Sequence, residues 1–120
     1  MTALGTHLLV ELRQANPAKL DDIEFVRQAL INAAREAGAT ILGDTFHRFT
    51  PQGVTGIVAI AESHISIHTW PEYGYAAVDV FTCGESLAPY KAADLIIKSL
   101  ESKDSEVTKV LRGQLPVFAD

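Results

Sequence analysis

Between Val54 and Gly84 lie three β-like runs, and the links joining them are only as long as a hairpin needs. "VTGIVAI" (54–60) is rich in β-branched residues, "HISIHTW" (64–70) alternates polar and apolar without a break, and "AAVDVFTCG" (76–84) alternates again. The first link ends at Ser63 and the second is "PEYGY" (71–75). A parallel pair needs a crossover of about a dozen residues or more, so these runs read as antiparallel neighbours.

The rest of the chain arranges itself around that meander. "LGTHLLVELRQA" (4–15) and "TILGDTFHRF" (40–49) read as strands, the latter followed by a turn at "PQG" (51–53), and "EVTKVLR" (106–112) reads as a closing strand. Asn16 and Pro17 make a cap and first-turn pair, Gly38 is a stop, and Leu20, Ile23, Val26, Leu30, Ala33, Ala34 and Ala37 recur every three or four residues between them. The spacing predicts one amphipathic helix over 16–39. A second helix is predicted over 87–103, with Leu95, Ile96 and Leu100 on its apolar side. In 120 residues this is one α+β domain, a two-layer sandwich of a mostly antiparallel sheet with two helices on one face. The other face would be left bare, and Val54, Ile57, Ala59, Val78 and Val80 suggest that a second copy covers it, giving a homodimer through or beside the sheet.

Composition narrows the class of partner. A net charge of -5 without a Lys/Arg cluster argues against nucleic acid or an anionic membrane and leaves room for a small cationic ligand. The single cysteine cannot form an intramolecular disulfide, and no apolar run resembles a signal peptide or a membrane span, so the expected compartment is the cytoplasm.

Reactive side chains crowd into "AESHISIHTWPEYGYAAVDVFTCGE" (61–85). On a strand His64, Ser66 and His68 share one side, as do Ala77, Asp79, Phe81 and Cys83 on the next, and the two rows could face one pocket. Three readings follow. His64, His68 and Cys83 are suitable metal ligands, but four strand residues separate the two histidines by about 13 Å, too far for convenient shared coordination. Cys83 could be a nucleophile with a histidine base. Or the cysteine is a small core residue and the histidines are ordinary residues of a wet face. Residue types alone leave these readings open.

The run "ESHISIHTWPEYGYAAVDVFTCGE" (62–85), together with "GATIL" and "TFHRFTPQGVTG", resembles the short prokaryotic S-adenosylmethionine decarboxylases. The likeness extends from "LGTHLLVEL" to the second helix and weakens in the last twenty residues. It implies a proenzyme that makes its own cofactor by cutting the Glu62-Ser63 bond, giving a 62-residue β chain and a 58-residue α chain that starts with a pyruvoyl group. The Ser63 hydroxyl would attack the Glu62 carbonyl to form an ester, and His68 would take the Ser63 Cα proton so that the acyloxy group leaves. A hydroxyl at position 55 would help; Thr55 stands where relatives carry serine. The pyruvoyl ketone would then form a Schiff base with the substrate amine and accept the electrons that departing carbon dioxide leaves behind. The same resemblance assigns Cys83 as proton donor, Phe49 as the adenine-stacking aromatic and Glu72 as the ribose ligand, with Trp70 and Tyr73 suited to a sulfonium cation. The product would be S-adenosylmethioninamine for spermidine synthesis, and no metal is implied.

Family members that decarboxylate arginine or ornithine, or that survive as inactive regulatory partners, are the alternatives. A guanidinium would want a fork of carboxylates such as Asp44 and Glu72, and Asp44 and Gln52 depart from the adenosyl-specific pattern.

Overall fold

The computed structural model describes residues 3–84 and 87–118; Glu85, at the end of the reactive run, lies outside them. The chain builds β1 (Gly5–Arg13), α1 (Pro17–Leu20), α2 (Ile23–Glu36), β2 (Ile41–Arg48), β3 (Val54–Ile60), β4 (Ser63–Trp70), β5 (Tyr75–Cys83), α3 (Pro89–Ser99) and β6 (Asp104–Arg112). The strands form one six-stranded sheet in the order β2-β3-β4-β5-β1-β6 with every pairing antiparallel. This is the expected α+β arrangement. The hairpins β3-β4 and β4-β5 supply its middle, and β1 enters between β5 and β6.

One helix was expected over 16–39, and there are two. Asn16 caps α1 through its Oδ1, which accepts the Ala18 N–H at 3.0 Å, and Pro17 occupies the first turn. Asp22 then takes an extended conformation and accepts the Phe25 N–H at 3.1 Å, starting a new helix. A carboxylate that can cap competes with a continuing helix, which hydrophobic spacing alone does not register.

Alternation decides what each face of the sheet carries. Leu8, Val10 and Leu12 of β1, Val54, Val58 and Ile60 of β3, Ile65 and Ile67 of β4, and Val78 and Val80 of β5 are buried with Val26, Leu30 and Ile96 of the helices. So Val54, Val78 and Val80 belong to the covered face, a correction to their expected place on the bare one. Of the five residues proposed for that bare face, Ile57 and Ala59 alone are exposed. Phe46 explains a glycine here: its ring lies over Gly56 so closely that a Cβ at 56 would sit 2.0 Å from it. No helix among the described residues is long and apolar enough to cross a membrane.

Candidate active site

The uncovered face collects the polar side chains of the same strands. His68 lies beside Thr55, its register partner on β3, with Thr55 Oγ1 and His68 Nδ1 3.0 Å apart. Around them Phe49, Gln52, Gly53, Trp70 and Glu72 line a cavity of about 250 Å³. Phe49 is braced edge-on by His47 at a ring separation of 4.6 Å, yet it remains 47% exposed, and Trp70, packed at a tilt against Tyr75 with ring centres 5.4 Å apart, remains 41% exposed. These two aromatics are therefore available to a ligand and are not core residues. Tyr75 in turn donates its hydroxyl to Glu11, and burial together with that carboxylate pushes its pKa up to about 12.

At the other end of β4 stands a second cluster. The Glu62 carbonyl oxygen accepts two hydrogen bonds from Cys83, one from its backbone N–H at 2.8 Å and one from its thiol at 3.0 Å. The next residue, Ser63, has φ +148°, a backbone geometry that L-residues rarely adopt and that costs about 1–3 kcal/mol. The Glu62 side chain is anchored as well, accepting the Thr40 N–H at 3.2 Å. A peptide carbonyl held by two donors next to a strained serine is polarised for attack, because negative charge developing on its oxygen is already met by hydrogen bonds.

Sequence reasoning allowed the histidine row and the Asp79/Cys83 row to face one pocket; the rows share a face and touch where Ser66 meets Asp79 and His64 meets Phe81, but Ser63 and His68 stand toward opposite ends of β4. Ser63 and His68 are five residues apart on one extended strand, which is about 16 Å. Neither Ser63 nor Cys83 lines the cavity that holds His68. Likewise His64 packs its ring on Phe81 at 5.7 Å while His68 turns to Thr55. Asp44 is also elsewhere: it lies on the helix side, where Arg27 Nε donates to it at 2.7 Å and holds its carboxyl below the usual carboxylate range. It cannot form a fork with Glu72.

Between the clusters runs a network that sequence reasoning did not single out. Arg112 Nη1 reaches His7 Nδ1 at 3.3 Å, so His7 Nε2 carries the ring proton and donates to Asp79 at 2.9 Å, and Ser66 Oγ donates to the same carboxylate at 3.2 Å. The available signal was the alternation of "THLLVEL", which turns His7 and Glu11 to the face opposite Leu8, Val10 and Leu12.

Comparison with known proteins agrees with the resemblance. The sequence profile of the S-adenosylmethionine decarboxylase family matches residues 6–113. The chain is 55% identical over 113 residues to the S-adenosylmethionine decarboxylase proenzyme of Thermodesulfovibrio yellowstonii, covering 94% of this chain and 84% of that one. It is 49% identical over 114 residues to the proenzyme of Thermotoga maritima (95% and 88% covered) and 52% identical over 115 residues to that of Prochlorococcus marinus (96% and 93%). The crystal structure of the adenosylmethionine decarboxylase from Aquifex aeolicus superposes with a TM-score of 0.89 at 41% identity, covering 96% of this chain and 95% of that one. With its family profile matched almost end to end and its fold reproduced by a solved relative, this chain belongs to the S-adenosylmethionine decarboxylase family.

Proposed function

We propose that this chain is a proenzyme that cuts itself between Glu62 and Ser63 and then decarboxylates S-adenosylmethionine to S-adenosylmethioninamine and carbon dioxide, supplying spermidine synthesis in the cytoplasm. The observation that carries this reading is the doubly hydrogen-bonded Glu62 carbonyl beside the positive-φ Ser63. Attack by Ser63 Oγ on that carbon replaces the amide with an ester, and Cys83 stabilises the oxygen through two donors during the step. Loss of the Ser63 Cα proton then breaks the Cβ–O bond. Glu62 leaves as the carboxyl terminus of the β chain, residues 1–62, and hydrolysis of the remaining dehydroalanine releases ammonia, leaving a pyruvoyl group at the head of the α chain, residues 63–120.

The residues present fit that group, since Ser63 supplies its carbon skeleton and Cys83 brings a proton to the same end of the site. A pyruvoyl carbonyl joins a substrate α-amine and draws off the electron pair left by departing carbon dioxide. Cys83 returns a proton to the substrate carbon. Phe49 and Trp70 offer exposed aromatic faces to adenine and the sulfonium, and Glu72 offers acceptors to ribose hydroxyls. The arginine alternative loses the Asp44 half of its carboxylate fork, because Asp44 is bound to Arg27.

The reading further requires two copies. His68, the base for the Ser63 Cα proton, is about 16 Å from Ser63 within one chain. Its cavity of about 250 Å³ falls short of the 300–1,000 Å³ that drug-sized ligands occupy. A homodimer packed through the uncovered faces, with its strands running head to tail, brings His68, Thr55, Phe49, Trp70 and Glu72 of one copy to Ser63 and Cys83 of the other. In the tautomer that donates Nδ1–H to Thr55 Oγ1, His68 Nε2 is free to act as base.

The first experiment is the intact mass of the purified protein under denaturing conditions, followed by release of carbon dioxide from S-adenosylmethionine, arginine and ornithine. Two chains split at Glu62-Ser63 and activity on the first substrate alone are expected; a single uncut chain would refute the reading. Co-expression of Ser63→Ala with His68→Ala chains tests the sharing of the site. Mixed dimers keep one intact site, so the His68→Ala chain should be cleaved in the mixture and not when expressed by itself.

A further inference from the structure

Asp21, between α1 and α2, lies outside the two clusters on the uncovered face, but it holds the loop from Phe49 to Gly53, which forms one wall of the His68 cavity. Its Oδ1 accepts the Gly53 N–H at 2.9 Å and its Oδ2 accepts Arg48 Nη2 at 2.7 Å. Arg48 also donates from Nε to the Asp21 carbonyl at 3.1 Å and reaches the Pro51 carbonyl at 3.4 Å. One residue therefore fixes the chain on both sides of Phe49 and Gln52. The loop closes on itself where the Phe49 N–H donates to the Gly53 carbonyl at 2.8 Å. Gly53 has φ +104° and passes close to β4, where an added Cβ would meet the Thr69 carbonyl at 3.2 Å, so glycine suits this position.

The neighbouring residue ties down the opposite wall. The Leu20 carbonyl accepts Thr69 Oγ1 at 2.9 Å, and that oxygen accepts the Val54 N–H at 2.8 Å, which anchors β4 between His68 and Trp70 to the start of β3. The Gly53 N–H, and after it Arg48, hold the Asp21 carboxyl below the usual carboxylate range, consistent with an ionised anchor.

We propose that Asp21 is a positioning residue for substrate binding: it holds Phe49 and Gln52 in register with Trp70 and Glu72 without touching the ligand. This rests on the function proposed above. Glu101 serves as the control, being another bonded carboxylate at α1, held by Asn16 at 3.0 Å and Lys19 at 2.7 Å but absent from the cavity wall.

In Asp21→Ala, exchange of the Gly53 amide should accelerate about tenfold and KM for S-adenosylmethionine should rise about tenfold, the scale of one lost charged hydrogen bond. The kcat should stay within about threefold, and cleavage at Glu62-Ser63 should be complete. Asp21→Asn keeps an acceptor for Gly53 and should fall between, and it supplies the same readings if Asp21→Ala does not fold. Glu101→Gln should leave KM unchanged. The proposal is overturned if Gly53 exchange is unaltered in the Asp21 variants, if their KM moves no more than that of Glu101→Gln, or if kcat falls while KM stays constant. Should the wild-type enzyme turn over no S-adenosylmethionine, the functional reading falls by itself. Gly53 exchange and the Kd for adenosine then decide the role of Asp21, unchanged values overturning it and tenfold changes supporting it.

Discussion

The two faces of the central sheet are made by the same strands and differ in almost everything else. On β4, Ile65 and Ile67 are buried under the helices while His64, Ser66 and His68 stand on the uncovered side. On β5, Val78 and Val80 are buried while Asp79 and Cys83 are not. All four histidines of the chain belong to the uncovered side: His64 and His68 on β4, His7 against Asp79 on β1, and His47 against Phe49 on β2. A sheet therefore lets one strand serve cohesion and chemistry at once, because adjacent residues enter different environments. Stability and activity should accordingly be separable by substitutions one residue apart.

The largest expected effect on the chemistry is that of Ser63→Ala, at the start of β4. It should leave one uncut chain with no decarboxylation, while the melting temperature stays within about 3 °C of the wild type because no core contact is lost. Cleavage seen in that variant by mass spectrometry would break the assignment. Cys83→Ala comes next. Turnover should fall about a hundredfold or more, the usual contribution of a positioned acid. Cleavage should nevertheless persist, since the backbone N–H of residue 83 still reaches the Glu62 carbonyl. Full turnover would remove the thiol from its role.

On the covered side the expected damage is of another kind. Ile67→Ala should destabilise the fold by about 2–5 kcal/mol, a large share of the 5–15 kcal/mol that holds a domain together, with cleavage of the folded fraction unaltered. Urea unfolding measures it, and a loss below about 0.5 kcal/mol, the range of ordinary surface substitutions, would contradict the packing described. The smallest effect concerns Tyr75. Its pKa of about 12 lies above the ordinary value of 10.0, so the stability it contributes is whole below about pH 10 and lost as pH rises toward 12. Tyr75→Phe should therefore lose less stability than the wild type between about pH 9 and pH 11, as read from urea midpoints. An identical decline in both proteins would mean that Glu11 and burial do not hold the phenol neutral.

Much of the fold was legible because hairpin-length links leave few choices. The positions of all six strands and of α3 followed from alternation and turn residues. The break at Asp21-Asp22 was not legible, since capping by Asp22 and the bonds from Asp21 to Gly53 and Arg48 depend on where distant segments lie. Composition likewise placed Val54, Val78 and Val80 on the wrong face. An apolar residue in a β-branched strand carries no mark of which side the helices cover.

The sequence by itself determined the strand pattern and carried the family resemblance, and with the resemblance came the reactive set proposed above: Ser63, His68 and Cys83, with Phe49, Trp70 and Glu72 beside them. Only the tertiary structure decided how that set is divided. Alternation tells which side chains share a face, but distance along a rigid strand and pairing across the sheet determine which of them can meet. Here they put Cys83 against the Glu62 carbonyl, His68 against Thr55, and about 16 Å between the two.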